Sequence, residues 1–419
     1  MTLEKLNTNI DIDFIKKQFP AFNDGLSKDI IFMENAGGSY VPNTVVKKLN
    51  DFMIQTKVQP YADFESSKIA GELMDRGIKL FAEMINAKFE EIIISGSTTM
   101  NMYVLSNALS YNLKPGDEII CTNQDHNTNI VFWRRLESKG AVIKEWKINT
   151  DNAELEINDL KNLLSSKTKI VAVTHASNIV GSNNDIKKIS ELVHSNGSLI
   201  IADGVSYAPH GFPDVKDLDV DFYSFSTYKT FGPHLGLLYG KYDILKNLPN
   251  QNHEFVKDEL PNTTLNPGGS NHEETASLIG VSEYFENLYN HHFSNQKISL
   301  RKKIEKTNQL ISNHEEKLAN ILLDYLTTKK NVRIIGQKKS FNKNRAPTIS
   351  FVVKDKTSKS ICDYLVNNKI GIRNGNFYAW RILKALGIDE DDGVIRASFV
   401  HYNSENDVLN LVKYLDQIL

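Results

Sequence analysis

Short apolar runs and helix-length amphipathic stretches alternate along the chain from about residue 88 to 240. The runs include Glu91-Ile-Ile-Ile-Ser95, Glu118-Ile-Ile-Cys121, Thr168-Lys-Ile-Val-Ala-Val-Thr174 and Ser198-Leu-Ile-Ile-Ala-Asp203. Such runs suit strands covered on both faces. Helical patterns fill 127–139 and 185–196, and another leads from Gly96 to about residue 112. This alternation predicts an α/β fold with a mainly parallel sheet flanked by helices. Residues 241–270 are polar and Asn/Pro-rich and read as irregular connection. From 273 to about 328 the pattern is helical and charged, and the basic cluster at 297–306 reads as a solvated connecting helix. The last ninety or so residues alternate again, with strands near Thr348–Val353 and Val394–Ser398. A closing helix over 404–415 carries Val408, Leu411, Val412 and Leu415 on one face. There are no internal repeats.

Chemistry gathers where the runs end. In Asp219-Val-Asp-Phe-Tyr-Ser-Phe-Ser-Thr-Tyr-Lys229, an apolar strand closes on hydroxyl residues and a lysine, followed by a Gly-Pro turn and a second apolar strand. Burying an ammonium is costly unless its pKa falls or the amine is bonded to something, and a Schiff base with an aldehyde cofactor is one such bond. Taken alone, Lys229 also fits a surface loop tip. Asp203 closes another run, where a carboxylate can hold a pyridinium nitrogen or simply cap a helix. Gly96-Ser97-Thr98-Thr99 opens a helix with free N–H groups and hydroxyls suited to a phosphate. Asn178 follows the run ending at Thr174.

The order Ser97/Thr98, Asn178, Asp203, Lys229 resembles fold-type I pyridoxal-phosphate enzymes, in particular the class V aminotransferase group that contains the cysteine desulfurases. The resemblance runs from Phe32-Met-Glu-Asn-Ala-Gly-Gly-Ser39 to Val394-Ile-Arg-Ala-Ser398. It implies a large domain with a seven-stranded-type, mainly parallel sheet and a smaller C-terminal α/β domain. It also implies pyridoxal 5'-phosphate as cofactor, an amino-acid substrate and a homodimer. The implied boundaries are 1–30 for an N-terminal segment packing with the small domain, 31–270 for the cofactor domain, 271–328 for connecting helices and 329–419 for the small domain. Lys229 matches the lysine bonded to the cofactor and Asp203 the partner of its ring nitrogen. His126 matches the residue stacked on that ring, Asn178 the one bonding the phenolic oxygen, and Ser97, Thr98 and Ser226 phosphate ligands. Arg396 matches the clamp for the substrate carboxylate, which suits its planar fork.

Several positions depart from the desulfurase pattern. Tyr228 stands where many members have histidine and keeps a donor for phosphate. Ser206 stands where a glutamine often supports the phenolic oxygen. Gly269 replaces a threonine in the loop that reaches the partner subunit's phosphate, leaving backbone or Ser270 for that contact. Arg373 lies in the segment resembling the mobile active-site loop, either meeting a second anionic group or bracing the loop. Asn35 and Tyr378 are expected at the substrate's side chain. Tyr378 fills the position at which desulfurases carry the cysteine that accepts sulfur, and a phenol cannot store sulfane sulfur as a thiolate does. The chain's two cysteines, Cys121 and Cys362, read as small buried hydrophobes. The implied activity is therefore a desulfurase-like C–S lyase working without an enzyme persulfide. The alternatives are a class V aminotransferase or amino-acid epimerase and, in another class, a non-catalytic cofactor-binding regulatory protein.

Composition narrows the partners. A net charge of −2 over 419 residues gives no electrostatic case for nucleic acid or an anionic membrane. No apolar run approaches the roughly 18 residues that span a bilayer, the first residues lack a signal-peptide pattern, and two cysteines fit a reducing cytosol. No Cys/His spacing resembles a metal site. A cytoplasmic enzyme without metal is expected.

Overall fold

The computed structural model describes residues 9–23, 25–256, 261–293 and 297–419. Seven strands form the main sheet in the order Ile92–Ser95, Gly236–Gly240, Phe222–Ser226, Leu199–Asp203, Thr168–Thr174, Glu118–Thr122, Val142–Trp146. Gly236–Gly240 runs antiparallel to both neighbours, and the other six are parallel to one another. The expected mainly parallel sheet is therefore present.

Successive residues of these strands feed two different cores, as a period of two requires. Ile92, Ile94, Ile120, Val171, Val173, Ile200, Ala202 and Phe225 enter one core with the helices Glu65–Met84, Ile186–Ser195 and His272–His292. Ile93, Ile119, Cys121, Ile170, Ala172, Ile201 and Phe222 enter the other, beneath Thr98–Ser110 and Thr128–Arg134. Ile120 and Ile200 are fully buried, and truncating either to alanine would cost about 2–5 kcal/mol.

The smaller sheet is antiparallel, in the order Arg373–Gly375, Val394–Ser398, Thr348–Val353, Val332–Ile334. Its own core adds Leu318, Leu322 and Leu326 from Leu300–Thr327, Ile361 and Leu365 from Ser358–Asn367, and Val408, Leu411 and Leu415 from Glu405–Leu415. Ser404 caps the last helix, accepting from Asp407 N while the Asp407 carboxylate accepts from Ser404 N. Ile31–Phe32 pairs with Ile370–Gly371, and Glu34 bridges Ser398, so this stretch of chain runs beside the strand that carries Arg396. The N-terminal segment touches both parts. Phe19 packs edge-on against Tyr284 and Tyr402, and Lys16 pairs with Asp407 at 3.0 Å.

Where element bounds differ from expectation, local chemistry explains it. The 127–139 helix becomes Thr128–Arg134 followed by the tighter Arg135–Lys139 turn, ended by Gly140 at φ 90°. The 185–196 helix is Ile186–Ser195 with Asp185 as its N-cap. The 273–328 pattern resolves into His272–His292 and Leu300–Thr327. In the 297–306 cluster Lys302 is solvated, but Arg301 is not, because it donates to Met84 O at 2.6 Å and Pro213 O at 3.0 Å. Within 241–270, Tyr242–Leu245 and Pro261–Thr264 are single helical turns. Among the described residues no helix is long and apolar enough to cross a membrane.

Candidate active site

The C-terminal ends of the parallel strands converge on two adjoining cavities. The inner one, about 170 Å³, is lined by Ser97, Thr98, His126, Asn178, Asp203, Ser206, Ser226, Tyr228 and Lys229, together with His234 and Val205 and the hydroxyls of Thr99, Thr128 and Thr174. The outer one, about 390 Å³, shares His126, Asn178, Tyr228 and Lys229 with it and adds Glu34, Arg373, Phe377, Tyr378, Asp391 and Arg396.

Part of the inner cavity's lining has the chemistry to hold an anion. Ser97 caps the helix Thr98–Ser110 by accepting from Met100 N at 3.1 Å, and Thr98 and Ser226 join their hydroxyls at 2.8 Å. Free N–H groups and the helix dipole favour negative charge there. Gly236 permits this geometry, because a Cβ at that position would lie 2.1 Å from the Ser97 carbonyl carbon. Tyr228 stacks on His234 at 4.6 Å with planes 4° apart. Nothing in the sequence pattern singles out His234, which comes up against Tyr228 across the Gly232-Pro233 turn.

Asp203 also lines the inner cavity and is buried, with Oδ1 accepting from Val205 N at 2.9 Å. Burial raises its carboxyl to about 6. Behind it His175 stacks on Tyr207 at 3.5 Å and bonds the Tyr223 hydroxyl through Nδ1 at 2.8 Å. Burial keeps His175 neutral, with a pKa lowered to about 3. His126 is likewise lowered to about 3, by burial and then by the charges of Lys229 and Arg396, and its Nδ1 accepts from Thr128 N. Beside it, buried Asp125 accepts from Thr122 and Asn129, and desolvation lifts it to about 8. Asn178 donates through Nδ2 to Phe377 O at 2.9 Å, while its Oδ1 is buried without a partner.

Lys229 lies between the cavities, 8% exposed, its Nζ 5.9 Å from the centre of the Tyr228 ring. Burial first, and then the Arg396 charge, bring its pKa down to about 8. The loop-tip alternative for this lysine is thereby excluded. Arg396 is also buried, and burial pulls its pKa down to about 10. Its Nη1 donates to Asn178 O at 3.2 Å, its Nη2 pairs with Glu34 at 2.6 Å, and the Phe377 ring covers one face at 3.6 Å.

Asn35 lies outside both cavities. It is buried, donates to Ser398 O and Asn403 Oδ1, and accepts from the Tyr402 hydroxyl. Its neighbour Glu34 lines the outer cavity instead, while Asn35 already lies in the turn that Gly37 N closes on Glu34 O at 3.0 Å. Tyr378 lines the rim, 72% exposed, 5.4 Å from His126. Phe377, missed in the sequence, reaches inward. Both have positive φ, 47° and 59°, and of the two it is Phe377 whose ring lies on Arg396. Arg373 is exposed beside them. Gly269 and Ser270 lie in neither cavity. They precede the helix His272–His292, and a Cβ on Gly269 would meet nothing within 4 Å. Cys121 is buried in a core of the main sheet and Cys362 in that of the smaller sheet, and neither lines a cavity.

The model of the class-V aminotransferase family matches residues 31–411. A Gibberella zeae protein described as aminotransferase-like protein FGM3 is 37% identical over 422 residues, spanning 99% of this chain and 100% of that one. The cysteine desulfurase-like protein ustD of Aspergillus flavus is 31% identical, spanning 99% and 92% respectively. Among solved structures, the apo form of a cysteine desulfurase from Thermococcus onnurineus NA1 superposes with a TM-score of 0.85 at 23% identity, covering 97% of both chains.

Proposed function

Since the chain belongs to the class-V aminotransferase family, whose members are pyridoxal-phosphate enzymes acting on amino acids, we propose that it binds pyridoxal 5'-phosphate and cleaves a C–S bond in a cysteine-type amino acid without forming an enzyme persulfide. One observation carries the choice of reaction. Tyr378, which the resemblance sets at the position of the family's loop cysteine, lines the rim, and both thiols of the chain lie in cores away from the cavities. Burial pushes the Cys362 thiol up to about 12 and Cys121 higher still, so neither supplies a thiolate at neutral pH.

The residues present suit the cofactor. The buried, unpartnered Asn178 Oδ1 has room for a donor, and Asp203 is a buried carboxylate whose raised pKa would fall again beside a cation. Ser97, Thr98, Ser226 and Tyr228 would hold the phosphate, His126 the ring face, Asn178 and Ser206 the phenolic edge, Asp203 the ring nitrogen, and Lys229 the aldehyde carbon. Gly269 and Ser270 would serve the partner subunit of a homodimer. The cofactor, when bound, takes up the electron pair released at the substrate's α-carbon. Lys229, with a pKa near 8, has a usable neutral fraction at neutral pH, so its amine can accept the α-proton. Arg396 orients the substrate through its carboxylate, and Phe377 keeps water off one face of that guanidinium. Tyr378 and Arg373 line the path of the substrate's side chain.

The 37% identity to a protein described as aminotransferase-like supports transamination as the second reading. One assay separates them. Holoenzyme is incubated with a panel of amino acids while sulfide, pyruvate and keto acid are followed together. Sulfide with pyruvate and no protein-bound sulfur is expected, whereas a keto acid that keeps the substrate side chain would replace the lyase reading by the second.

A further inference from the structure

Glu34 already engages one edge of the Arg396 guanidinium. Its Oε1 lies 2.6 Å from Nη2. Nε, which shares that edge of the guanidinium, is buried and has no hydrogen-bond partner. A carboxylate can use both donors of such an edge, yet Glu34 uses one. The rest of the guanidinium is fixed, by Asn178 O on Nη1 and by the Phe377 ring on one face. Glu34 is freer, its side chain 12% exposed against 3% for Arg396, and it lines the wall of the outer cavity. Room for its second oxygen depends on Gly37, where a Cβ would come within 2.0 Å of Oε2. A buried guanidinium with no anion beside it is strongly disfavoured, so an internal counter-ion keeps the clamp charged and oriented while no substrate is present.

We propose that Glu34 is a displaceable internal carboxylate, one that occupies Arg396 between turnovers and yields its edge to the α-carboxylate of the incoming amino acid. The proposal rests on Arg396 being the substrate clamp. It makes Glu34 a positioning residue with a specificity role, because only a ligand with its own carboxylate can replace what it removes. The displacement lowers apparent affinity by the fraction of time the edge is free. A pair closed about 90% of the time weakens binding about tenfold. A permanent brace would act in the opposite sense, since removing it would let the guanidinium tilt and would weaken binding.

Acetate, a carboxylate with no amine to react, is the probe, and its binding to holoenzyme is followed by saturation-transfer NMR. Glu34→Gln should tighten acetate about three- to tenfold. Gly37→Ala should act in the same direction, because its methyl group drives Glu34 off Arg396 without removing the charge. Unchanged or weaker binding in a folded Glu34→Gln protein overturns the proposal. If that variant does not fold, Gly37→Ala decides by the same criterion. Arg396→Ala separates the two levels of argument. If it abolishes acetate binding while Glu34→Gln weakens it, displacement alone is refuted. If it leaves acetate binding unchanged, the clamp assignment falls and the proposal falls with it.

Discussion

Replacing Arg396 with lysine preserves the charge and removes the fork. The guanidinium has three supports, namely Glu34 at 2.6 Å, Asn178 O at 3.2 Å and the Phe377 ring at 3.6 Å, and it retains a free Nε. A lysine ammonium is a point charge on a flexible stem, so it can keep one carboxylate contact but not a second parallel one. Losing one charge-assisted hydrogen bond to the substrate costs about 1.5–3 kcal/mol, or roughly a 10- to 150-fold rise in KM at about 1.4 kcal/mol per decade. Steady-state rates with an amino acid and with its carboxamide distinguish this from a general defect. The amide lacks the anion that the fork binds, so its KM should change by no more than about threefold. An unchanged KM for the acid, or equal losses for acid and amide in a protein with native melting behaviour, would refute the clamp assignment.

Borohydride should fix the cofactor to a peptide containing Lys229, and labelling of another lysine would overturn that role. The pKa of this lysine also predicts a stability slope in the cofactor-free protein. Because it falls from 10.5 to about 8 on folding, the unfolded chain binds more protons between those values, and stability from this group rises with pH across the interval. Lys229→Met should therefore be more stable than wild type near pH 7 by up to about 3 kcal/mol, with the gap shrinking toward pH 10 in urea titrations. Asp203→Ala should leave the fold intact and slow α-hydrogen exchange in deuterium oxide by orders of magnitude, whereas wild-type exchange would reduce Asp203 to a turn residue. Cys121→Ala with Cys362→Ala should cost about 1 kcal/mol each in stability and leave turnover per folded molecule nearly unchanged. A labelled persulfide on either cysteine would reinstate the desulfurase route.

Strand ends were legible in the sequence because an apolar run that stops on a polar residue marks both the edge of a parallel sheet and the side chain delivered there. Asp203 and Lys229 are of this kind, and the structure brings them to one cavity. Glu34 was not legible. The pairing segment Ile31–Phe32 is only two residues long and sets no period, so nothing in the sequence said that Glu34, rather than Asn35, faces inward. Phe377 was hidden for a related reason, since two successive positive φ values in non-glycine residues reverse the chain where sequence patterns assume none. His234 illustrates a third obstacle. It meets Tyr228 across a Gly-Pro turn, and only the closed turn brings those rings within stacking distance.

The twisted backbone at Phe377 and Tyr378 makes a latch. Asn178 Nδ2 holds the Phe377 carbonyl, Asn127 N holds the Tyr378 carbonyl at 2.7 Å, and the Phe377 ring lies on Arg396. A departure of this segment by a few ångströms would break both hydrogen bonds and bare the guanidinium in the same movement, releasing the unfavourable φ angles as it went. The amide of Asn178, facing the inner cavity, and the arginine, facing the outer one, would then lose their restraints together. In such a movement, opening the rim and loosening the polar grip on both cavities would coincide, because the same two residues make all three contacts.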